Sequence, residues 1–188
     1  MNFLEQKITL YKNVFDKTGT EITVQQALNQ IQQAAAILKL QIKNVRSEKD
    51  KDKKGKLKQE LPAVTFSGNF SNRAKDKLIN YSHIYCVDID KLDLPKLLDL
   101  KTELQESDRV LAMFVSPSGN GLKILIPTET KADDHEAIFP MLKHWFKNLY
   151  DVEIDEACKD VSRLCFLSDD DTIYINPNAM PINQSWIT

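Results

Sequence analysis

The hydrophobic pattern divides the chain into short strands and amphipathic helices. Apolar residues alternate loosely over residues 8–15, which predicts a strand, and a second short strand is predicted over 61–66. Residues 83–89 form an apolar run that is typical of a strand buried on both faces. Thr23 begins a capping-box sequence, and the apolar spacing after it predicts a helix that ends near Leu38.

The second half of the chain continues this alternation of strands and helices. Asp93 fits as the N-cap of the next helix, which has a proline in its first turn. Strands are predicted at 110–115 and 122–126, joined as a hairpin by a Ser-Pro-Ser-Gly-Asn-Gly turn. Asp133 is expected to start a long helix, in which Pro140 indicates either a kink or the start of a second helix. Two more strands are predicted over 163–167 and 172–175.

Short strands mixed with helices, together with the hairpin, predict an α+β (mixed α/β) fold around a largely antiparallel sheet flanked by helices. The length of 188 residues predicts one domain, residues 1–188. Its predicted segments are an N-terminal strand and helix over 1–42, a charged mobile loop over 43–58, a catalytic-type core over 59–177, and a tail or linker over 178–188.

Composition narrows the classes of function. No apolar run reaches the roughly 18 residues of a membrane helix and no signal peptide opens the chain, so we expect a cytoplasmic protein without a membrane partner. The three cysteines and three histidines are scattered, which argues against a zinc site. Residues 43–58 contain eight basic and three acidic residues, and such a run can follow a phosphate backbone or simply be solvated.

Two carboxylates at the end of the apolar run 83–89 form the first candidate functional site. Asp88 and Asp90 are two residues apart on a strand, so their side chains point to the same side. Neighbouring carboxylates repel each other unless a cation lies between them, and Mg²⁺ takes oxygen ligands of this kind. The pair therefore indicates a metal site, with a solvated strand end as the alternative.

The turn of the predicted hairpin is the second candidate. Gly119 and Gly121 permit left-handed conformations and the close approach of a ligand to the backbone. An ordinary hairpin turn explains the same glycines, but it leaves unexplained Lys123, a charge followed at once by Ile-Leu-Ile. Lys123 either extends out of the sheet or meets phosphate groups beside the two aspartates.

A third group of polar residues lies further along the chain. Asp155 ends the short alternating segment Val152-Glu153-Ile154-Asp155. Asp160 and Arg163 follow it and are three residues apart. Asp160 and Arg163 could form a surface ion pair, which contributes little to stability. Alternatively, Asp155 completes a carboxylate cluster and Arg163 binds a phosphate, for which arginine is better suited than lysine.

Taken together and in this order, the three motifs resemble those of the archaeo-eukaryotic primase superfamily, the primase-polymerases. The resemblance is closest to a bacterial branch, the VirE N-terminal-like domains of mobile-element proteins, and it covers about residues 40–177. The segments that carry it are Val87-Asp88-Ile89-Asp90, Ser116 to Lys123, Ile154-Asp155, Leu61 to Phe70 and Asp160 to Ser168.

This resemblance implies a primase-polymerase-like domain built on an RRM-like sheet, with divalent-metal-dependent nucleotidyl transfer as its activity. It implies that Asp88, Asp90 and Asp155 hold one or two Mg²⁺ or Mn²⁺ ions. Lys123 stands where the superfamily has a nucleotide-contacting histidine, and a lysine can neutralise a phosphate as a point charge. The residues implied to bind a nucleoside triphosphate are Ser116, Ser118, Gly119, Gly121, Lys123 and Arg163.

The resemblance also implies partners: DNA, with a single-stranded template, and a C-terminal or separate helicase in the replication of a mobile element. Three other functions remain open. A nucleotide- or DNA-binding module without catalysis would use the basic run at 43–58. A nuclease or Toprim-type site would need Glu60 as its early glutamate, but Glu60 precedes its strand instead of ending it. A purely structural domain would leave every aspartate solvated.

Overall fold

A computed structural model of the chain describes residues 1–183. The helices are α1 (Val24–Gln32), α2 (Ala36–Ser47), α3 (Lys51–Gln59), α4 (Leu94–Gln105) and α5 (Phe139–Tyr150). The strands are β1 (Lys7–Tyr11), β2 (Thr20–Thr23), β3 (Ala63–Thr65), β4 (Gly68–Phe70), β5 (Leu78–Tyr81), β6 (Ile84–Ile89), β7 (Ala112–Val115), β8 (Leu122–Pro127), β9 (Cys165–Phe166) and β10 (Tyr174–Ile175). None of the described helices is both long and apolar enough to cross a bilayer.

Two four-stranded sheets form the framework, in the orders β2-β1-β3-β9 and β10-β7-β8-β6, and β4 pairs with β5. All of these strand pairs are antiparallel. The α+β class predicted from the sequence is therefore confirmed, and so is the hairpin, in which β7 pairs with β8.

The β6–β8 sheet is covered on both faces. Ile84 and Leu125 contribute to a core shared with the other sheet and with α1 and α2. Val87 and Ile124 point the other way, into a core formed with α4 and α5. Because both faces are buried, β6 is apolar at successive positions, as the run at 83–89 predicted.

Capping residues begin two helices where the sequence predicts. The Thr23 hydroxyl accepts the Gln26 N–H (3.1 Å) and the Gln26 side chain accepts the Thr23 N–H (2.8 Å), which completes the capping box of α1. Asp93 accepts the Lys96 N–H (2.9 Å) at the start of α4. Pro140 lies in the first turn of α5, so the second of the two alternatives for this proline is correct.

Two helix predictions are wrong at their boundaries. The helix after Thr23 ends at Gln32 instead of Leu38, and α2 then turns Leu38 toward the core. Asp133 does not start a long helix, because residues 132–138 form two 3₁₀ turns ahead of α5. Proline lacks the N–H of a helix interior and fits a first turn, so the regular helix begins beside it.

The predicted mobile loop at 43–58 is also wrong, because this segment contains the end of α2 and nearly all of α3. Lysine, glutamine and leucine are good helix formers. Asp50 caps α3 by accepting the N–H groups of Asp52 (3.0 Å) and Lys53 (2.9 Å). The charges correctly indicated exposure, since α3 has no buried residue, but an exposed segment can still be helical.

Part of the predicted tail at 178–188 packs on the fold. The Met180 N–H donates to the Asp108 carbonyl (2.8 Å). Ile182 is fully buried and its N–H donates to the Pro127 carbonyl (2.9 Å). Residues 184–188 of the tail lie outside the described residues.

Candidate functional site

Three carboxylates from two separate segments converge at the end of β6. One oxygen atom from each of Asp88, Asp90 and Asp155 lies within 4.8 Å of the others. Asp88 is buried near the end of the strand, Asp90 is exposed just beyond it, and Asp155 is half-buried. The Asp155 N–H donates to the Asp88 carbonyl (2.9 Å), which holds its segment against β6. These residues, called the acidic triad below, could hold a metal ion.

A local hydrogen bond orients Asp155. Its carboxylate accepts the Ala157 N–H (3.0 Å) and so caps the 3₁₀ turn over 156–159. Partial burial by itself raises the pKa of Asp155, but the Ala157 hydrogen bond and the Arg163 guanidinium hold that pKa below its usual range. The carboxylate is therefore charged at neutral pH and ready to bind a cation.

Two basic side chains already lie against the triad. Lys123 is the direct partner of Asp88 in the β6–β8 pairing, and the two form an ion pair with side chains only 12% and 4% exposed. Burial alone would lower the pKa of Lys123, but Asp88 raises it to about 12. Of the two orientations considered for Lys123, the side chain thus lies beside the aspartate and does not extend into solvent.

Arg163 bridges two members of the triad. Its Nη2 lies 3.2 Å from Asp88 Oδ2 and also contacts Asp155 Oδ2. Its side chain is 27% exposed, more than that of Lys123. Lys123 and Arg163 together neutralise two of the three negative charges, so the triad keeps a formal charge of −1.

The oxygen atoms around the triad fit a hard divalent cation. Asp88 Oδ1 and Ser116 Oγ are both buried, and neither has a hydrogen-bond partner among the described residues. Buried polar atoms without a partner are uncommon, and one explanation is a water or an ion that binds there. Carboxylate and hydroxyl oxygens are the ligand type that such cations prefer. The residues present therefore fit a metal at this position.

The loop between β7 and β8 lies beside the triad, and its two glycines have different roles. The Ser116 N–H donates to the Gly121 carbonyl (2.8 Å) to close the loop. Gly119 has a φ of +78°, a conformation that L side chains rarely adopt. Gly121 is needed for space, because a Cβ atom there would overlap the Ile89 carbonyl oxygen and lie 3.1 Å from Asp90 Oδ1.

Replacing Gly121 with alanine is therefore expected to lower the free energy of unfolding by about 1–3 kcal/mol, as overpacked positions do. The matched control is Gly55→Ala in α3, where an added Cβ would meet nothing within 4 Å. That change should raise stability by up to about 1 kcal/mol, because alanine favours the helix over glycine. Urea unfolding measures both, and equal stability of Gly121→Ala and the wild type would contradict the close packing.

No described hydrogen bond or ion pair joins the triad to Ser118, a predicted nucleotide-binding residue, or to Asp160, whose role the sequence left open. Asp160 accepts the N–H and the hydroxyl of Ser162 (both 2.9 Å) and shapes the turn before Arg163. The surface ion pair considered between Asp160 and Arg163 does not form in the described structure, where Arg163 pairs with the triad instead. Ser118 lies in the loop, and none of the hydrogen bonds described for residues 1–183 joins it to the triad.

Two side chains near the site were missed at the sequence level. Arg46 lies over the loop, since a Cβ atom at Gly119 would be 3.5 Å from its Cδ and Nε, and it donates to the Asp169 carbonyl (3.0 Å). Asp170 accepts the Val115 N–H (2.8 Å) and so anchors the loop's first strand. Treating 36–47 as an amphipathic helix would have placed Arg46 on its exposed face, but no local signal marked Asp170.

Comparison with known protein families identifies a match over most of the chain. The model of the family described as BT4734-like, N-terminal domain, matches residues 56–175, which is more than half of the chain and includes the whole triad. No curated protein and no solved structure matches the chain.

This match corrects the family resemblance drawn from the sequence. The matching family is a different one from the VirE N-terminal-like domains, and nothing in the comparisons supports the primase-polymerase superfamily. The motifs that carried the resemblance are short, and an acidic strand end followed by a glycine turn occurs in unrelated folds. The chain belongs to the BT4734-like N-terminal domain family.

Proposed function

We propose that this domain catalyses divalent-metal-dependent nucleotidyl transfer at the acidic triad, with Mg²⁺ or Mn²⁺ held by Asp88, Asp90 and Asp155. The observation that carries the proposal is the convergence of these carboxylates beside a buried lysine and an arginine. Such ions, when bound, stabilise the charge on the attacking and leaving oxygens of a phosphate displacement. The substrate class is a nucleoside triphosphate.

The chain's own residues would bind and orient that substrate. Lys123 holds Asp88 in place and adds positive charge at the base of the site. Arg163 is more exposed, and its planar guanidinium suits a phosphate. Ser116 Oγ has no partner among the described residues and lies next to Gly121, so it is available to a ligand. Ser118 and the Gly119 backbone would complete the loop side of the site.

The acceptor that we propose for this transfer is the terminal hydroxyl of a nucleic-acid strand. The three cysteines, Cys86, Cys158 and Cys165, are all free thiols, which supports action in a reducing compartment such as the cytoplasm.

A helicase partner and a mobile-element context were expected only from the resemblance that the family match corrects, and no other observation supports them.

A binding module without catalysis is the second candidate function. The observation that favours it is the pairing of Lys123 and Arg163 with the triad, which balances most of the negative charge without a metal. Such a module would bind a nucleotide or DNA in the absence of divalent ions.

We expect saturating dATP with Mn²⁺ to raise the unfolding temperature by roughly 5–10 °C. Ligand at a hundredfold excess over its dissociation constant stabilises a protein by about 2.7 kcal/mol, and each kcal/mol corresponds to about 2–4 °C at this size. Asp90→Asn should abolish the shift. Asp90 is exposed and forms no ion pair among the described residues, so its loss leaves the fold intact. Differential scanning fluorimetry measures both proteins.

The outcomes separate the two candidates. A shift that needs metal and nucleotide together, followed by metal-dependent extension of a labelled primer that Asp90→Asn lacks, supports nucleotidyl transfer. A shift with nucleotide in EDTA, unchanged in Asp90→Asn, supports the binding module. The absence of any shift would contradict nucleotidyl transfer and nucleotide binding, and would leave the binding module only DNA as its ligand.

A further inference from the structure

We infer that the basic surface, together with the ring of Phe166, binds the single-stranded nucleic acid on which the proposed reaction takes place. The basic surface consists of Lys43, Arg46, Lys49, Lys51, Lys53, Lys54, Lys56 and Lys58, on α2, α3 and the link between them. The inference rests on the proposed function, because that function supplies the reason for a polynucleotide to reach the triad.

Charge is strongly segregated in this chain. Residues 43–58 hold eight basic and three acidic residues, whereas the other 172 residues hold 17 basic and 24 acidic ones. A positive surface on a protein of net charge −2 concentrates a polyanion at one place instead of binding it everywhere. The structure turns this run into an ordered helical surface, since α3 is a capped helix without a buried residue.

The charges of the basic surface are not neutralised by acidic side chains of the described residues. Across residues 1–183, no ion pair with a carboxylate involves any of its eight members. Exposed lysines elsewhere do pair, such as Lys7 with Glu21 and Lys75 with Glu136. Like charges one helical turn apart destabilise a helix slightly, and phosphate groups would relieve that repulsion.

Two contacts connect the basic surface with chain segments that also carry site residues. Lys58 Nζ lies 5.9 Å from the centre of the Phe166 ring, and Phe166 is three residues after Arg163, which contacts the triad. Arg46 lies over Gly119 in the loop beside the triad. A nucleic-acid strand bound along α3, a helix about 13.5 Å long, would therefore meet the Phe166 ring at one end and Arg46 near the loop beside the triad.

The Phe166 ring favours single-stranded nucleic acid over other polyanions, such as duplex DNA or an anionic membrane. Phe166 is partly exposed on β9, the edge strand of its sheet, where an unstacked base can lie against the ring. Bases of a duplex are already stacked and cannot do so. An anionic membrane is a poor fit, because helices that lie on membranes bury an apolar face and Leu57 is the one large apolar residue of α3.

The test is fluorescence anisotropy with a labelled oligothymidine in EDTA, at 50–200 mM salt. The triple variant Lys51→Gln/Lys53→Gln/Lys56→Gln removes three exposed charges. We expect at least tenfold weaker binding at low salt and a logarithmic salt slope about 2 units shallower, because each phosphate contact to a single strand contributes about 0.7. The matched control Lys7→Gln/Lys75→Gln/Lys147→Gln, with the same charge loss, should bind within about threefold of the wild type.

A second variant tests the ring. Phe166→Leu keeps an apolar side chain and should weaken binding roughly 5- to 150-fold, the range that stacking of one base contributes, while leaving the salt slope unchanged. Urea unfolding of each variant confirms that the protein is folded.

Three outcomes would overturn the inference: equal loss in both triple variants, tighter binding of duplex than of single strand, or binding of anionic vesicles in place of DNA. Since the assay contains no metal and no triphosphate, it is independent of catalysis. If the domain binds DNA through this surface but never extends a primer, only the proposed function is contradicted. If the domain still extends primers after the lysines are replaced, only this inference is contradicted.

Discussion

Replacing Asp88 with asparagine is expected to lower the free energy of unfolding by about 3–5 kcal/mol, the usual cost of breaking a buried ion pair. Asp88 is 4% exposed and pairs with Lys123, which is 12% exposed and lies opposite it on the neighbouring strand. Asparagine is nearly isosteric but neutral, so the Lys123 ammonium would remain buried without its main counter-ion. Equilibrium urea unfolding measures the loss.

A compensating variant identifies the cause. Asp88→Asn/Lys123→Met removes both charges and should recover most of the stability, because a buried ion pair can often be replaced by neutral residues of similar volume at little cost. Asp90→Asn, at the exposed position of the triad, should stay within about 0.5 kcal/mol of the wild type. If Asp88→Asn were as stable as the wild type, the ion pair would not be buried as described.

This result bears on how the site is probed. A loss of activity in Asp88→Asn would mix two effects, the loss of a metal ligand and the loss of the counter-ion that keeps β8 folded. Asp90 and Asp155 are more exposed, so their variants report on ligand binding with less effect on folding.

Replacing Arg163 with glutamine is expected to change metal and nucleotide affinity in opposite directions. Arg163 contacts oxygens of Asp88 and Asp155 that a cation would also use, so the two compete. A partly exposed ion pair is worth about 1 kcal/mol, so losing two such contacts corresponds to roughly thirtyfold tighter Mn²⁺ binding. Isothermal titration calorimetry with Mn²⁺ alone measures this gain.

The second half of this prediction concerns the triphosphate. With Mn²⁺ saturating, Arg163→Gln should bind dATP more weakly and incorporate it about 10²- to 10³-fold more slowly, because a fixed positive group on a developing negative charge contributes that much. Arg163→Lys is the control and should recover part of the loss, since it keeps the charge but not the planar fork. Parallel weakening of metal and nucleotide would show instead that Arg163 only orients the carboxylates.

Part of the local structure followed directly from the sequence, although the end of α1 and the whole of α3 did not. The capping box at Thr23, the proline in the first turn of α4 and the turn between β7 and β8 are set by residues within a few positions of each other. The paired position of Asp88 and Asp90 at a strand end follows from the two-residue period of a strand. These features depend on short-range sterics and hydrogen bonds, which neighbouring residues specify by themselves.

The sequence by itself predicted seven of the ten described strands, the caps at Thr23 and Asp93 and the residue types of the site, while the tertiary structure decided their partners. Asp155 is 67 residues from Asp88, and only the packing of its segment against β6 makes them neighbours. The pairing of Lys123 with Asp88 depends on the register of β6 and β8, and a shift of one residue would turn Lys123 to the other face. Long-range contacts of this kind depend on how whole elements bury their apolar faces, which no local pattern encodes.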